Sequence, residues 1–201
     1  MEVLIVFVKH PVVGEVKTRL AAELGQEKAL VIYQALLAYT HDVCSQTRCE
    51  KVVFYGNEVP ESDLWSAAAY ARYLQSGDNL GARMEHAFAT VFAGGAEKAL
   101  LIGSDCPEIT PDILQTAFDC LNEKEVVLGP AQDGGYYLIG MRKRFSPVFH
   151  HKTWSTGSVL VDTIRDLKAG GKSYGLLPTL ADVDTVEDLR GTFLEALLHE
   201  T

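Results

Sequence analysis

The chain lacks the signatures that would identify it at once. It has no Cys-x-x-Cys pair: Cys44, Cys49, Cys106 and Cys120 are scattered and no His-x-x-His set accompanies them, which argues against a zinc site. With no export signal in view, the thiols are expected to be reduced. The first apolar run, Val3 to Val8, is too short for a signal peptide or a spanning helix. The protein is therefore expected to be cytoplasmic, with no membrane span. There is no G-x-x-x-x-G-K loop and no G-x-G-x-x-G fingerprint. There is also no positive excess: the formal net charge is -9, which argues against a nucleic-acid partner. A single nucleotide ligand stays open, because a few local cations and a metal ion can neutralise one diphosphate. No repeat, low-complexity tract or linker is visible, so residues 1–201 read as one domain.

The 47% hydrophobic and 22% charged residues are those of an ordinary globular enzyme. Val3–Val8, Val52–Tyr55, Arg72–Leu74, Ala99–Ile102, Val126–Leu128, Tyr136–Met141 and Tyr174–Leu177 read as strands. Helical spacing marks Gln26–Gln46, and helices are also expected over Ser62–Ala69 and Ala82–Phe92. A helix opens at Thr110-Pro111, with Thr110 as its cap, and another follows the loop that begins at Trp154. A closing helix is expected over Thr185–Leu198, with Asp184 and Glu187 as its capping box. Residues 133–154 are expected to form a small lobe beside the sheet. Alternating strands and helices imply an α/β fold: a mostly parallel central sheet with helices on both faces.

Chemistry concentrates where strands end. The first strand runs into Lys9-His10-Pro11-Val12-Val13-Gly14-Glu15-Val16-Lys17-Thr18-Arg19. Its three cations, Lys9, Lys17 and Arg19, suit phosphate oxygens, and Gly14 lets the backbone approach a ligand. The alternative is a solvated surface loop. Ala99–Ile102 ends in Gly103-Ser104-Asp105-Cys106-Pro107, and Asp105 is a candidate ligand for Mg²⁺ or Mn²⁺. Cys106 has no activating His near it in sequence and reads as a small buried residue. A second strand end carries Asp133-Gly134-Gly135-Tyr136. Asp133 could bind metal, bind a sugar hydroxyl or act as a base; Gly134, Gly135 and Tyr136 would let a bulky ligand lie against the turn. The alternative is a plain Asp-Gly turn. Arg83 stands at a helix start, Trp154 opens a loop over a pocket, and Asp184 is placed for a second metal ligand. The six histidines receive no role, although His150-His151 could line the cleft.

The blocks KHPVVGEVKTRL, GDNLGARM, LLIGSDCP, VVLGPAQDGGYYLIGM and DVDTVEDL occur in that order over residues 3–190. This arrangement resembles the bacterial family of GT-A-like nucleotide-diphospho-sugar transferases, associated with radical-SAM and selenodomain proteins. Some members are described as arsenosugar-biosynthesis glycosyltransferases. The resemblance implies a GT-A fold, with Lys9, Lys17 and Arg19 at phosphates and Lys17 in a catalytic role. It also implies Asp105 and Asp184 at a metal and Asp133 facing the transferred group. The expected function is metal-dependent glycosyl transfer from a nucleotide sugar to a small-molecule acceptor. Alternatives are a nucleotidylyltransferase that takes a nucleoside triphosphate and releases pyrophosphate, and a non-catalytic nucleotide-binding protein. The chain departs from the family pattern in two ways. Gly103 stands at the first position of the usual D-x-D, and the paired-glycine loop of nucleotidyltransferases is reduced to Gly14.

Overall fold

In the computed structural model, residues 1–199 are described; the last two positions of the expected domain lie outside them. The strands are β1 (Glu2–Val8), β2 (Glu50–Tyr55), β3 (Ala71–Leu74), β4 (Lys98–Ile102), β5 (Val126–Pro130), β6 (Tyr136–Met141) and β7 (Tyr174–Leu176). The helices are α1 (Thr18–Leu24), α2 (Gln26–Gln46), α3 (Leu80–Ala93), α4 (Pro111–Glu123) and α5 (Val159–Ala169). The strands form one sheet in the order β3-β2-β1-β4-β6-β5-β7. All neighbours pair in parallel except β6, which runs antiparallel to both β4 and β5.

Period-2 alternation along the buried strands builds two cores. Leu4, Val6, Leu100 and Ile102 point to the face covered by α2 and α4. Val3, Ile5, Ala99 and Leu101 point to the face covered by α3 and Phe149. A third cluster joins Leu20 and α2 to Val183, Leu189 and Leu194, so the C-terminal segment is tied to the first helices.

The register brings one set of strand ends to a single edge. β1 and β4 end side by side (Val6 opposite Ile102), and β1 and β2 likewise (Val8 opposite Tyr55). Because β6 is reversed, its start at Tyr136 reaches the same edge, beside the end of β5 at Pro130.

Four expectations are corrected. Residues 133–154 form no lobe, since β6 is an interior strand of the main sheet. Residues 62–69 form turns, not a helix. Asp63 turns its side chain onto the Trp65 amide and the Tyr55 hydroxyl, and such side-chain bonds compete with helix. The closing helix is replaced by two short 3₁₀ pieces, Glu187–Leu189 and Glu195–Leu198. There Asp188 accepts from the amides of Asp184 and Thr185 and from the Thr185 hydroxyl, taking the role expected of Asp184 and Glu187. The stretch from Lys9 to Leu20, whose Pro11 and Gly14 read as loop throughout, is loop only as far as Lys17, because helix begins at Thr18. The Thr110 cap is present: its hydroxyl accepts from the Ile113 amide, with Pro111 behind it.

Candidate functional site

A cavity of about 480 Å³ opens at this shared edge, between the ends of β1 and β4, the start of β6 and the segment after β7. Phe7, Met84, Leu101 and Tyr136 give it an apolar wall, and Lys9, Lys17, Arg19 and Arg83 are its cations. Asp105, Asp182 and Asp184 are its carboxylates.

The acids are assembled from two distant segments by backbone contacts. Val183 is fully buried in the third core cluster, and its amide donates to the carbonyl of Asp105 at 2.9 Å. Asp182 and Asp184 flank this anchored residue in sequence, and both line the cavity while Val183 points into the core. The Lys17 ammonium closes the arrangement. It lies 2.5 Å from Asp105 Oδ1, donates to the Val183 carbonyl at 2.5 Å, and stands 3.9 Å from Asp184 Oδ1. Its side chain is 6% exposed, against 71% for Arg19, which pairs with Asp184 Oδ2 at 3.3 Å. Lys17 also has a left-handed backbone (φ 47°, ψ 49°), an unfavourable state for a long side chain.

Tyr33 ties the first loop to the end of β4. Its phenolic oxygen accepts from the Lys9 amide at 2.8 Å and lies 3.3 Å from Ser104 Oγ. Burial first, and then the charge of Asp105, push its pKa up to about 12, so it remains a neutral hydrogen-bonding post. Asp182 is pushed up to about 7. Burial is the main cause; the charges of Asp105, Asp133 and Asp184 add to it and Lys17 opposes it. Burial also pushes the Cys106 thiol up to about 12, which removes the thiolate a nucleophile needs.

The structure thus brings together Lys9, Lys17, Arg19, Arg83, Asp105, Asp184 and Tyr136. It leaves Gly14, Asp133, Gly134, Gly135 and Trp154 out of the cavity lining. Asp133 accepts from the Gly135 amide at 2.8 Å, the local turn bond open to it from the start, and reaches the site through its charge on Asp182. Gly134 has φ 89°, and a Cβ there would lie 2.3 Å from the Gly157 carbonyl, so this glycine serves loop packing. Trp154 packs against Gly81 at the start of α3. Gly14 (φ 82°) faces the Gln26 side chain. His150 and His151 line a separate surface hollow with Arg165 and Asp166. Asp182 is the residue sequence reasoning passed over. The signal for it was the alternation Asp182-Val183-Asp184 about an apolar anchor.

The sheet and its edge cavity define a GT-A-like α/β fold of the nucleotidyl- and glycosyltransferase type. Residues 39–156 match the bacterial family described as "uncharacterized protein conserved in bacteria" (DUF2064), and the chain belongs to it. A protein of Desulfovibrio desulfuricans G20, provisionally named a nucleotide-diphospho-sugar transferase, is 30% identical with a TM-score of 0.88. The match covers 98% of this chain and 93% of that one. Two more distant structures share the fold. Rv0371c of Mycobacterium tuberculosis H37Rv, solved with manganese, is 18% identical with a TM-score of 0.55, covering 99% of this chain and 98% of that one. The inositol-1-phosphate CTP transferase of T. maritima is 14% identical with a TM-score of 0.57, covering 98% and 95%. No curated protein matches the chain in sequence. Among the described residues, no helix is long and apolar enough to cross a membrane.

Proposed function

We propose that the chain is a divalent-metal-dependent transferase that binds a nucleotide-activated sugar in this cavity and moves the glycosyl group to a small acceptor. The observation that carries the reading is the meeting of Asp105 and Asp184 around one buried cation, on a cavity wall shared with Lys9, Arg19 and Arg83. The name of the 30%-identical Desulfovibrio protein supports it.

The residues fit a hard divalent ion. Among the described residues, no three His, Cys, Asp or Glu side chains form a complete cage. Mg²⁺ and Mn²⁺, however, commonly take one or two carboxylates and complete their shell with phosphate oxygens and water. Asp105 and Asp184 would hold the ion, and its chemistry there would be to neutralise charge on the diphosphate as it leaves. Lys9, Lys17, Arg19 and Arg83 would bind and orient the phosphates. Asp182 lines the cavity whereas Asp133 does not, so the acceptor-facing carboxylate role expected of Asp133 is reassigned to Asp182.

Nucleotidylyl transfer is the second reading, and one observation favours it: the acids come from separate segments, with Gly103 at the first D-x-D position.

Product analysis separates the readings. With Mn²⁺ and nucleotide sugars plus an acceptor pool, glycosyl transfer liberates a nucleoside diphosphate. With nucleoside triphosphates and phosphorylated acceptors, nucleotidylyl transfer liberates pyrophosphate. Metal-dependent nucleotide binding with neither product would mark a binding protein. Asp105→Asn should abolish metal-dependent binding; it also takes the nearest carboxylate from the buried Lys17, so its thermal transition should be lower but still cooperative, and unchanged binding would remove Asp105 from the site.

A further inference from the structure

Lys17 places its charge where the proposed metal would go. Its Nζ lies 2.5 Å from Asp105 Oδ1 and 3.9 Å from Asp184 Oδ1, and the Val183 carbonyl at 2.5 Å takes another of its three donors. The side chain is almost wholly buried, so water screens the group little. Among the described residues, Lys17 and Arg19 are the cations paired with these two acids, and only Lys17 touches both. Its left-handed backbone is an unfavourable state maintained by the surrounding structure, as residues with a functional constraint often show.

An ammonium and a divalent ion cannot both sit between Asp105 and Asp184, because like charges at contact distance repel even where the two carboxylates are half-exposed. We propose that Lys17 is an internal counter-cation that keeps a divalent ion out of the Asp105–Asp184 pair until the phosphates of a ligand draw the ammonium away. This rests on the metal–nucleotide reading above. The ligand's oxygens replace the carboxylate and carbonyl partners that Lys17 gives up, so the buried ammonium is never left unpaired. The freed carboxylates then receive the ion together with the phosphates it bridges. Metal and nucleotide consequently bind as a unit, and the ligand-free protein holds little metal.

The test is Mn²⁺ binding without nucleotide, read from the electron paramagnetic resonance signal of the free ion. The wild-type protein should bind Mn²⁺ weakly. Lys17→Met and Lys17→Gln should bind it about tenfold more tightly or better, since a competing charge has been removed. Lys17→Arg, which keeps the charge, should remain weak. Adding Asp105→Asn to Lys17→Met should erase the gain. Tight binding of Mn²⁺ by the ligand-free wild-type protein overturns the proposal without any variant. So does equal affinity in Lys17→Met, shown folded by its thermal transition. Failure of the transferase reading would look different: no nucleotide would stabilise the wild-type protein with Mn²⁺, yet the gain in Lys17→Met would still be measurable.

Discussion

Asp182 shows how one buried group couples the site to stability. Its ordinary pKa is 3.8 and its folded value is about 7, so between those values the native state holds a proton that the unfolded chain has lost. Stability therefore falls as pH rises through this window and levels off above it. Asp182→Asn removes the penalty. Its melting temperature should exceed that of the parent by several degrees at pH 8, and the difference should vanish near pH 4 (thermal unfolding across pH checks this). A constant difference at all pH values would deny Asp182 its shifted titration. The placement of the site residues was partly legible in advance. Lys9, Lys17, Arg19, Arg83, Asp105 and Asp184 share the cavity as expected. The raised pKa of Asp182 was not legible, because it comes from burial and from the charge of Asp105, a neighbour far away in sequence.

At the scale of elements, local signals worked where the structure is locally determined. The spacing of Ala29, Tyr33, Leu36, Leu37 and Val43 marks α2, and the Thr110-Pro111 pair marks the start of α4. They failed where side chains compete for the backbone. Thr185–Leu198 has helical spacing, yet Asp188 holds residues 184–188 in a tight turn while Val183, Leu189 and Leu194 anchor it to α1 and α2. Asp188→Ala should lower stability by about 0.5–1.5 kcal/mol, because the amides of Asp184 and Thr185 lose their acceptor. It should also weaken metal–nucleotide binding by loosening Asp184. Denaturant unfolding and ligand titration measure the two effects, and a loss of stability with unaltered binding would separate this turn from the site. Gly134→Ala should destabilise the fold by about 1–3 kcal/mol, since a left-handed alanine is strained and its Cβ would press on the Gly157 carbonyl.

For the whole molecule, the position of β6 was the largest surprise. Its residues read correctly as a strand, but chain order does not say which neighbours a strand joins. The reversal of β6 between β4 and β5 is a tertiary fact. Its consequence is the make-up of the cavity: Tyr136 reaches the lining from the start of β6, and Asp105 from the segment that follows β4. The acidic and basic groups converge because parallel β1 and β4 end together and Val183 is bonded to the Asp105 backbone.

The most direct measurement is thermal unfolding of the wild-type and Asp105→Asn proteins, each with nucleotides or nucleotide sugars, with Mn²⁺, and with both. At a ligand concentration about a hundredfold above Kd, binding adds about 2.7 kcal/mol, or about 5–10 °C for a chain of this size. That shift should appear in the wild-type protein only when nucleotide and metal are present together, and should disappear in Asp105→Asn. A shift of the same size in both proteins, or none with any nucleotide, would contradict an ion-bridged phosphate site at these strand ends.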